Sequence, residues 1–235
     1  MNILVTGADH LIARQAIAAL QPMHNLRAVD VSFATSLPNG VQQRTGDLRD
    51  PAMIDSVLRG VDAVLHVAPL TQPFASDQDN LDHAARGTYQ LMQAAQRFGV
   101  KQVILLSTLA LFDVLPEPMR VGPTWRPHPQ PCVADFCAYA AEMLARESVR
   151  IGTLQVVCVR VGHVSAKEIE MVLSQLLGQN PRSENWSVLH VGRRPKAKPG
   201  LPKVNLKSRP VQKVLVLGAG GPIGEIGRAS CRERV

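Results

Sequence analysis

The chain opens with MNILVTGADHLIA, residues 1–13. The apolar run Ile3–Val5 predicts a buried strand, and Thr6–Asp9 predicts a tight turn. From Leu11 to Leu20, apolar residues recur at helical spacing and predict a helix. In a parallel sheet, such a unit places backbone N–H groups and a helix N-terminus at the carboxyl edge of the first strand. Unpaired donors and the helix dipole stabilise a phosphate there.

The glycine pattern of this turn is incomplete. Gly7 stands at the first position, and Ala13 at the third still permits close packing of helix on strand. The second position holds His10, which puts an imidazole where the phosphate would approach. Two interpretations stay open at this point: a dinucleotide-binding turn, or a strand–helix corner that binds no ligand.

Composition is that of a globular protein. The chain has 235 residues, of which 46% are hydrophobic and 19% charged. No apolar run reaches the length of a membrane span, and no basic leader precedes an apolar core. We therefore expect a cytoplasmic protein with no membrane partner.

Positive charge is concentrated at the end of the chain. Residues 1–191 carry 15 basic and 17 acidic residues, whereas residues 192–235 carry 11 basic and 2 acidic ones. Arg193–Lys213 holds eight basic residues, four prolines and no acid. Aromatic residues are not interleaved with these charges, so we interpret the segment as a solvated linker and expect no nucleic-acid partner.

Metal and disulfide chemistry are not indicated. The cysteines lack paired CxxC spacing, and we interpret Cys132 and Cys137 as small apolar residues, with a reactive thiol as the alternative. The histidines likewise lack metal-ligand spacing. The residues considered are Cys132, Cys137, Cys158, Cys231, His10, His66, His128 and His163.

Strands and helices alternate along residues 1–165. Beyond the first strand, the predicted strands are Leu26–Val31, Gln42–Arg44, Val61–Val67, Val103–Thr108, Leu154–Val161 and Trp186–Val191. Predicted helices begin at Asp50-Pro51 and cover Asp79–Phe98, Ala134–Arg150 and Ala166–Leu177. This alternation predicts an α/β fold with a doubly wound parallel, Rossmann-like sheet. We expect the first and fourth strands to be neighbours, with Thr6, Asp30, Val67 and Thr108 on one rim.

An acid ends the predicted second strand. Asp30 lies 23 residues beyond Gly7, a spacing that suits a carboxylate bonded to an adenosine ribose. Such a carboxylate repels a 2′-phosphate, and no arginine follows it directly. The sequence therefore favours NAD over NADP.

The opening motif recurs near the end of the chain. Lys213–Gly224 repeats it with an offset of 211 residues and with glycines at 218, 221 and 224. We predict a dinucleotide-binding domain over residues 1–191, a basic linker over 192–212 and the start of a second such domain over 213–224. Residues 225–235, EIGRASCRERV, resemble the translation of a DNA-sequencing adapter and are excluded from fold reasoning.

In combination, these motifs resemble the extended short-chain dehydrogenases, the NAD-dependent epimerase/dehydratase family. The matching pieces are Thr6–Ala13, Gly46–Asp50, Leu65–Ala68, Gly87-Thr88, Gly99–Thr108, Tyr139 with Glu147, and Val159–Gly162. The resemblance implies that Asp47 and Leu48 lie at the adenine, Asp30 at the ribose, Leu11 and Ile12 at the pyrophosphate, and Val67 and Ala68 at the nicotinamide ribose. The full implied cofactor set is Gly7, Asp9, His10, Leu11, Ile12, Asp30, Asp47, Leu48, Val67, Ala68, Ser107 and Tyr139.

The resemblance also implies catalytic residues. Thr108 would bond the substrate hydroxyl or carbonyl, and Tyr139 would be the general acid/base. The family's lysine four residues after the tyrosine is Met143 in this chain. The family's asparagine three residues before Gly87 is Ala84, and little chain is available for a substrate lobe.

Two functions are therefore weighed. One is an NAD-dependent oxidoreductase or epimerase acting on a small-molecule hydroxyl or carbonyl substrate, with a homodimer compatible with the resemblance. The other is a catalytically eroded dinucleotide-binding or scaffold domain whose chemistry resides in a second domain.

Overall fold

A computed structural model describes residues 1–116, 119–150, 152–178 and 184–194. Its strands are β1 Asn2–Thr6, β2 Asn25–Asp30, β3 Gln42–Thr45, β4 Ala63–His66, β5 Gln102–Thr108, β6 Gln155–Val161 and β7 Trp186–Val191. Its α-helices are α1 Leu11–Leu20, α2 Pro51–Leu58, α3 Asp77–Arg97, α4 Val133–Ser148 and α5 Ala166–Gly178. Short 3₁₀ turns cover Ala68–Leu70 and Leu109–Phe112. The linker from residue 195 onward, the second glycine-rich stretch and the terminal segment lie outside the described residues.

The sheet is parallel throughout, in the order β3-β2-β1-β4-β5-β6-β7. This confirms the predicted doubly wound α/β fold and the pairing of β1 with β4, where Leu4 lies beside Val64. Both residues are fully buried, as expected for a parallel sheet covered on both faces. Because all strands run the same way, Thr6, Asp30 and Thr108 share one rim, with Val67 directly after β4.

Local sequence signals explain where the helices begin and end. Asp50 accepts the backbone N–H of Ala52 at 2.9 Å and places Pro51 in the first turn of α2. Ser76 caps α3 by accepting the N–H of Asp79 at 3.0 Å. Gly99, with φ of +69°, follows the end of α3 in the left-handed conformation that glycine favours. These caps fix the ends of the elements that carry the site.

The helices divide unequally between the two faces of the sheet. Apolar side chains of α1 and α5 share one core layer, and those of α2, α3 and α4 share the other. The connections β4–α3–β5 and β5–α4–β6 step across the sheet in one direction. The next step, to β7, continues in that direction but crosses through α5 on the opposite face. The β6–α5–β7 crossover is therefore left-handed, an exception to the usual right-handed rule.

Among the described residues, the connection from β6 to β7 holds one helix, α5. Since α5 lies on the α1 face, no described helix follows α4 over β7 on the other face. Among the described residues, no helix has the length and apolar character needed to cross a membrane.

We expect Gly7→Ala to destabilise the fold more than Gly60→Ala. Both glycines have left-handed backbones, with φ of +66° and +70°, so both substitutions carry a strain of about 1–2 kcal/mol. Only at Gly7 would the new Cβ collide with backbone, which adds about 1–3 kcal/mol of overpacking. Urea denaturation of the two variants gives the comparison, and equal losses of unfolding free energy would contradict it.

Candidate functional site

The turn between β1 and α1 lies directly against the backbone at the end of β4. A Cβ on Gly7 would be 2.5 Å from the backbone nitrogen of Ala68, closer than any real side chain can approach. On its other side, the N–H of Ala8 donates to the carbonyl of Val29 at 3.1 Å. The turn is thus wedged between the ends of β2 and β4, and it forms the floor of the rim.

His10 caps the first turn of α1. Its Nδ1 accepts the backbone N–H of Ile12 at 3.3 Å. A ring nitrogen that accepts carries no proton, so this bond assigns the proton of the neutral ring to Nε2. Burial lowers the pKa of His10 below its ordinary value, although the nearby Asp30 carboxylate opposes that shift. At neutral pH the uncharged ring therefore holds one of the N–H groups of the helix start.

Asp30 lies where the sequence placed it, at the carboxyl end of β2. Its two oxygens accept backbone N–H groups, from Val31 at 2.7 Å and from Asp9 at 2.8 Å. The side chain is 8% exposed, and burial raises the pKa of its carboxyl. Two backbone donors thus aim a largely desolvated carboxylate along the rim.

An arginine also reaches this part of the rim, which the sequence pattern did not indicate. Arg14 forms an ion pair with Asp9, its Nε lying 2.9 Å from Oδ1, and it donates to the carbonyl of Thr35 at 2.6 Å. Burial raises the pKa of Asp9, but the bonds from Arg14 and from the Ala34 N–H prevail and lower it. The charge of Arg14 is therefore compensated beside Asp30.

Asp47 is the most heavily bonded carboxylate on the rim. It accepts the backbone N–H of Arg49 at 2.8 Å, the guanidinium of Arg49 at 2.7 Å and Nδ1 of His83 at 3.1 Å. Although burial raises the pKa of Asp47, these bonds lower it to about 2. Because Asp47 is ionised, the neutral His83 ring must donate from Nδ1.

Arg49 links this carboxylate to α3. Its guanidinium lies 3.2 Å from Asp82 and stacks over the ring of Phe74, 4.5 Å from the ring centroid. Leu48 is buried beside Gly87, where an added Cβ would come within 3.0 Å of the leucine. The segment predicted at the adenine is therefore fixed by both charge pairs and close packing.

The two hydroxyls at the end of β5 have different partners. Ser107 is buried and donates its hydroxyl to the carboxylate of Glu142. Thr108 is partly buried, and its Oγ1 accepts the backbone N–H of Ala110 at 3.0 Å. That bond uses an oxygen lone pair of Thr108 and leaves its O–H proton free to donate to another group.

Tyr139 and Met143 line the same cavity, of about 800 Å³. The cavity lies between α4, β7 and the loop of residues 123–127, on the face of the sheet opposite to α5. Met143 is 51% exposed, at the position where the resemblance expects a lysine. Both tryptophans of the chain, Trp125 and Trp186, also line it.

A buried ion pair lies in the wall of this cavity. Arg160 binds Glu142 through Nε at 3.0 Å and a terminal nitrogen at 2.8 Å, and the two side chains are 5% and 4% exposed. Arg160 also donates to the carbonyls of Pro123 and Trp125, at 3.2 and 3.3 Å. One guanidinium thereby joins β6, α4 and the loop over the site.

Arg146, the cation nearest to Met143 along α4, lines the cavity together with Tyr139 but is paired with Glu147. Its guanidinium pairs with Glu147 at 3.2 Å, with both side chains largely exposed. Arg160 is thus the arginine that lines the cavity from a buried position, and Glu142 neutralises it.

A family model described as the NAD dependent epimerase/dehydratase family matches residues 3–194. This chain belongs to that family. The match includes all seven described strands, so the family assignment rests on the whole domain as well as on the motifs of the rim.

Curated relatives match about half of the chain. It is 35% identical over 124 residues to sterol demethylase protein B of Methylococcus capsulatus, covering 50% of this chain and 37% of that protein. It is 30% identical over 111 residues to uronate dehydrogenase of Pseudomonas syringae pv. tomato, covering 46% of this chain and 39% of that one. The matched part of the chain thus spans about two fifths of the length of each of these two relatives.

Solved structures share the fold. A short-chain dehydrogenase/reductase superfamily protein from Agrobacterium tumefaciens with bound NAD aligns with TM-score 0.61 and 26% identity, over 70% of this chain and 50% of that one. Uronate dehydrogenase from Agrobacterium tumefaciens aligns with TM-score 0.69 at 20% identity, over 80% and 75%. The second likeness concerns the fold alone.

The structure brings most of the family-implied residues to one rim. Gly7, His10, Asp30, Asp47 and Ala68 surround the carboxyl ends of β1, β2 and β4. Ser107 is turned inward to Glu142, and Leu11 is 68% exposed at the start of α1. Among the described residues, no group of three or more metal-binding side chains is present.

The sequence did not indicate four partners of these residues, Arg14, Arg49, His83 and Arg160. Each of them lies inside or beside a quoted motif and also contacts a residue of another segment, respectively Thr35, Asp82, Asp47 and Glu142. The available signal for His83 was a histidine in the predicted helix, next to Ala84, at a position where an apolar residue would be expected.

We expect Arg160→Met to cost about 3–5 kcal/mol of unfolding free energy, because it leaves the buried Glu142 carboxylate uncompensated. Adding Glu142→Leu should restore most of that loss, since a buried pair can be replaced by apolar residues of similar volume. Arg146→Met, which breaks an exposed pair, should cost less than about 1 kcal/mol.

Urea denaturation of the three variants provides the measurement. Equal losses for Arg160→Met and Arg146→Met would show that the Glu142–Arg160 pair does not stabilise the fold.

Proposed function

We propose that this domain binds NAD along the rim and belongs to an oxidoreductase or epimerase that acts on a hydroxyl or carbonyl group of a small molecule. The carboxylate of Asp30 carries the proposal. It is aimed by two backbone N–H groups beside a glycine turn that no other residue could form. Ribose hydroxyls are the donors that such an acceptor takes in dinucleotide-binding folds.

Each of the other residues on the rim borders a different part of the dinucleotide. Leu11 and Ile12 supply N–H groups for the pyrophosphate, Asp47 and Leu48 border the adenine, and Val67-Ala68 borders the nicotinamide ribose. Asp9 supports Asp30 through its backbone N–H, and its own carboxylate neutralises Arg14. An uncompensated arginine beside the ribose would attract a 2′-phosphate, so this pairing supports NAD over NADP.

Bound NAD supplies hydride transfer. The chain's part is to orient the substrate and to move a proton at its oxygen. Thr108 keeps its O–H proton available while its oxygen lone pair caps the following turn, so it is suited to donate to a substrate oxygen. Tyr139 is the candidate acid/base, and positioned groups of this kind contribute about 10²–10⁴-fold in rate.

A second candidate function is favoured by the α4 helix. Met143 offers no charge, and the buried cation Arg160 is neutralised by Glu142. Free phenol ionises at ~10, so a tyrosine acid/base at neutral pH needs a positioned cation such as the family's lysine, and no lysine is among the described residues that line this cavity. On this reading the domain binds NAD and leaves the chemistry to a second domain. We also propose a homodimer, on the basis of the resemblance, and a cytoplasmic location, on the basis of the sequence.

We expect the chain to bind NAD more tightly than NADP. The Asp30→Asn substitution should weaken NAD binding and reduce the difference in affinity between the two cofactors. The amide keeps an acceptor oxygen but loses the charge that repels a 2′-phosphate. Isothermal titration calorimetry with both cofactors gives the affinities. Asp55→Asn is the matched control, because it makes the same change at an exposed ion pair on α2. Tighter binding of NADP than NAD would overturn the role of Asp30.

Met143→Lys should raise NAD affinity by about tenfold, the value of one charge-assisted hydrogen bond. Met171→Lys adds the same charge at an exposed position of α5, on the other face of the sheet, and should change nothing. Turnover with NAD decides between the two functions. Robust NAD reduction by the unaltered chain, abolished by Tyr139→Phe, would refute the eroded-site interpretation.

A further inference from the structure

The start of α1 presents a conflict between two hydrogen bonds. Under the proposed function, the backbone N–H of Ile12 serves the pyrophosphate. In the structure that same N–H donates to Nδ1 of His10 at 3.3 Å. One hydrogen atom cannot fully serve both acceptors, so binding of an anion here competes with the histidine cap.

We propose that His10 is a proton-operated gate of the phosphate-binding turn. The neutral ring withholds the Ile12 N–H from an anion, and the protonated ring releases it and places a positive charge beside the anion. This inference rests on the proposed function, and it concerns how tightly that site holds its ligand at different pH.

The chemistry of the ring determines the direction of the effect. Both nitrogens of a protonated imidazole are donors, so protonated His10 cannot accept the N–H of Ile12. The freed N–H lies in the first turn of α1, where the helix dipole already favours negative charge. No acidic residue occupies the first turn of α1. A pyrophosphate would therefore gain a donor and a cation at once.

The second nitrogen of the ring is available to a ligand. Within the described parts of the chain, Nε2 of His10 has no hydrogen-bond partner, and it is not among the buried polar atoms that lack one. It is therefore open to solvent, in a residue that is otherwise half-buried. In the neutral ring this nitrogen carries the proton, so it remains a donor in both states.

Charged and titratable groups on β2, the first turn, α1 and α3 surround this part of the rim. Asp30 at the end of β2 raises the pKa of His10, while burial lowers it further than Asp30 raises it. Asp9 in the turn is compensated by Arg14 of α1. His83 of α3 is bonded to Asp47 and interacts with Asp30. Protonation of Asp30 would remove a ribose acceptor, so its titration acts against the gate.

Linkage converts this arrangement into a measurable quantity. A bound pyrophosphate stabilises the protonated ring and raises the pKa of His10, so NAD binding takes up a proton when the pH lies between the free and bound values. Each unit of that rise corresponds to about tenfold in affinity. Proton uptake should therefore increase as the pH falls towards the pKa of His10 and be small at about pH 8.

The experiment titrates the full 235-residue chain with NAD by calorimetry. Measurements at about pH 8 and about pH 5.5, each in two buffers of different ionisation enthalpy, give the affinity and the number of protons taken up. His10→Asn keeps a capping acceptor but cannot titrate, and His10→Gly removes the ring altogether at little cost to the helix. Adenosine, which has no phosphate, is the control ligand.

We expect the unaltered chain to bind NAD about tenfold more tightly at the lower pH, with proton uptake. His10→Asn should bind weakly at both pH values, and His10→Gly should bind more tightly than the unaltered chain at the higher pH. The affinity for adenosine should be the same in the unaltered chain and in both His10 variants. An equal pH dependence in His10→Asn, or in adenosine binding, would assign the titration to other groups and overturn the gate. Absence of NAD binding at both pH values, in His10→Gly as well, would overturn the proposed function and the gate with it.

Discussion

The contact between the first turn and the end of β4 organises this domain. Gly7 packs its bare α-carbon against the Val67-Ala68 peptide, while the N–H of Val67 donates to the carbonyl of Thr6 at 3.0 Å. The turn can only take this position if residue 7 has no side chain and a left-handed backbone. From it follow the direction of α1, the place of its free N–H groups and the distance between the ends of β2 and β4.

A buried histidine at the end of β4 also stabilises the contact between the first turn and β4. His66 bonds Thr6 at 2.7 Å and Thr88 at 2.9 Å, which ties β1, β4 and α3 together through one ring. Burial lowers the pKa of His66 to about 3, so the ring stays neutral and both nitrogens are satisfied. The rim is therefore held by polar bonds within the core as well as by packing, which suits a site whose charged groups must keep fixed positions.

Local sequence signals were sufficient for the elements and for much of the rim. Alternating strands and helices predicted the order of the fold, and the spacing from Gly7 predicted Asp30. The fourth strand is shorter than predicted because the N–H of Val61 still bonds Leu58 of α2. The sequence could not show that the charge of Glu142 on α4, next to Met143, is neutralised by Arg160 from β6. Nor could it show that α5 crosses to the α1 face, since periodicity identifies an apolar helix face and leaves open which side of the sheet that face covers.

The unusual hand of the last crossover affects how the chain must be made. Ile17 and Leu20 of α1 share their core layer with Ile169 and Leu173 of α5, which are among the last described residues to be synthesised. During translation, the first helix therefore emerges long before the helix that completes its burial. The sheet strands β1, β2 and β4 can cover part of its apolar face early, but the part that packs against α5 stays exposed until α5 has left the ribosome, and exposed apolar surface favours aggregation of the nascent chain.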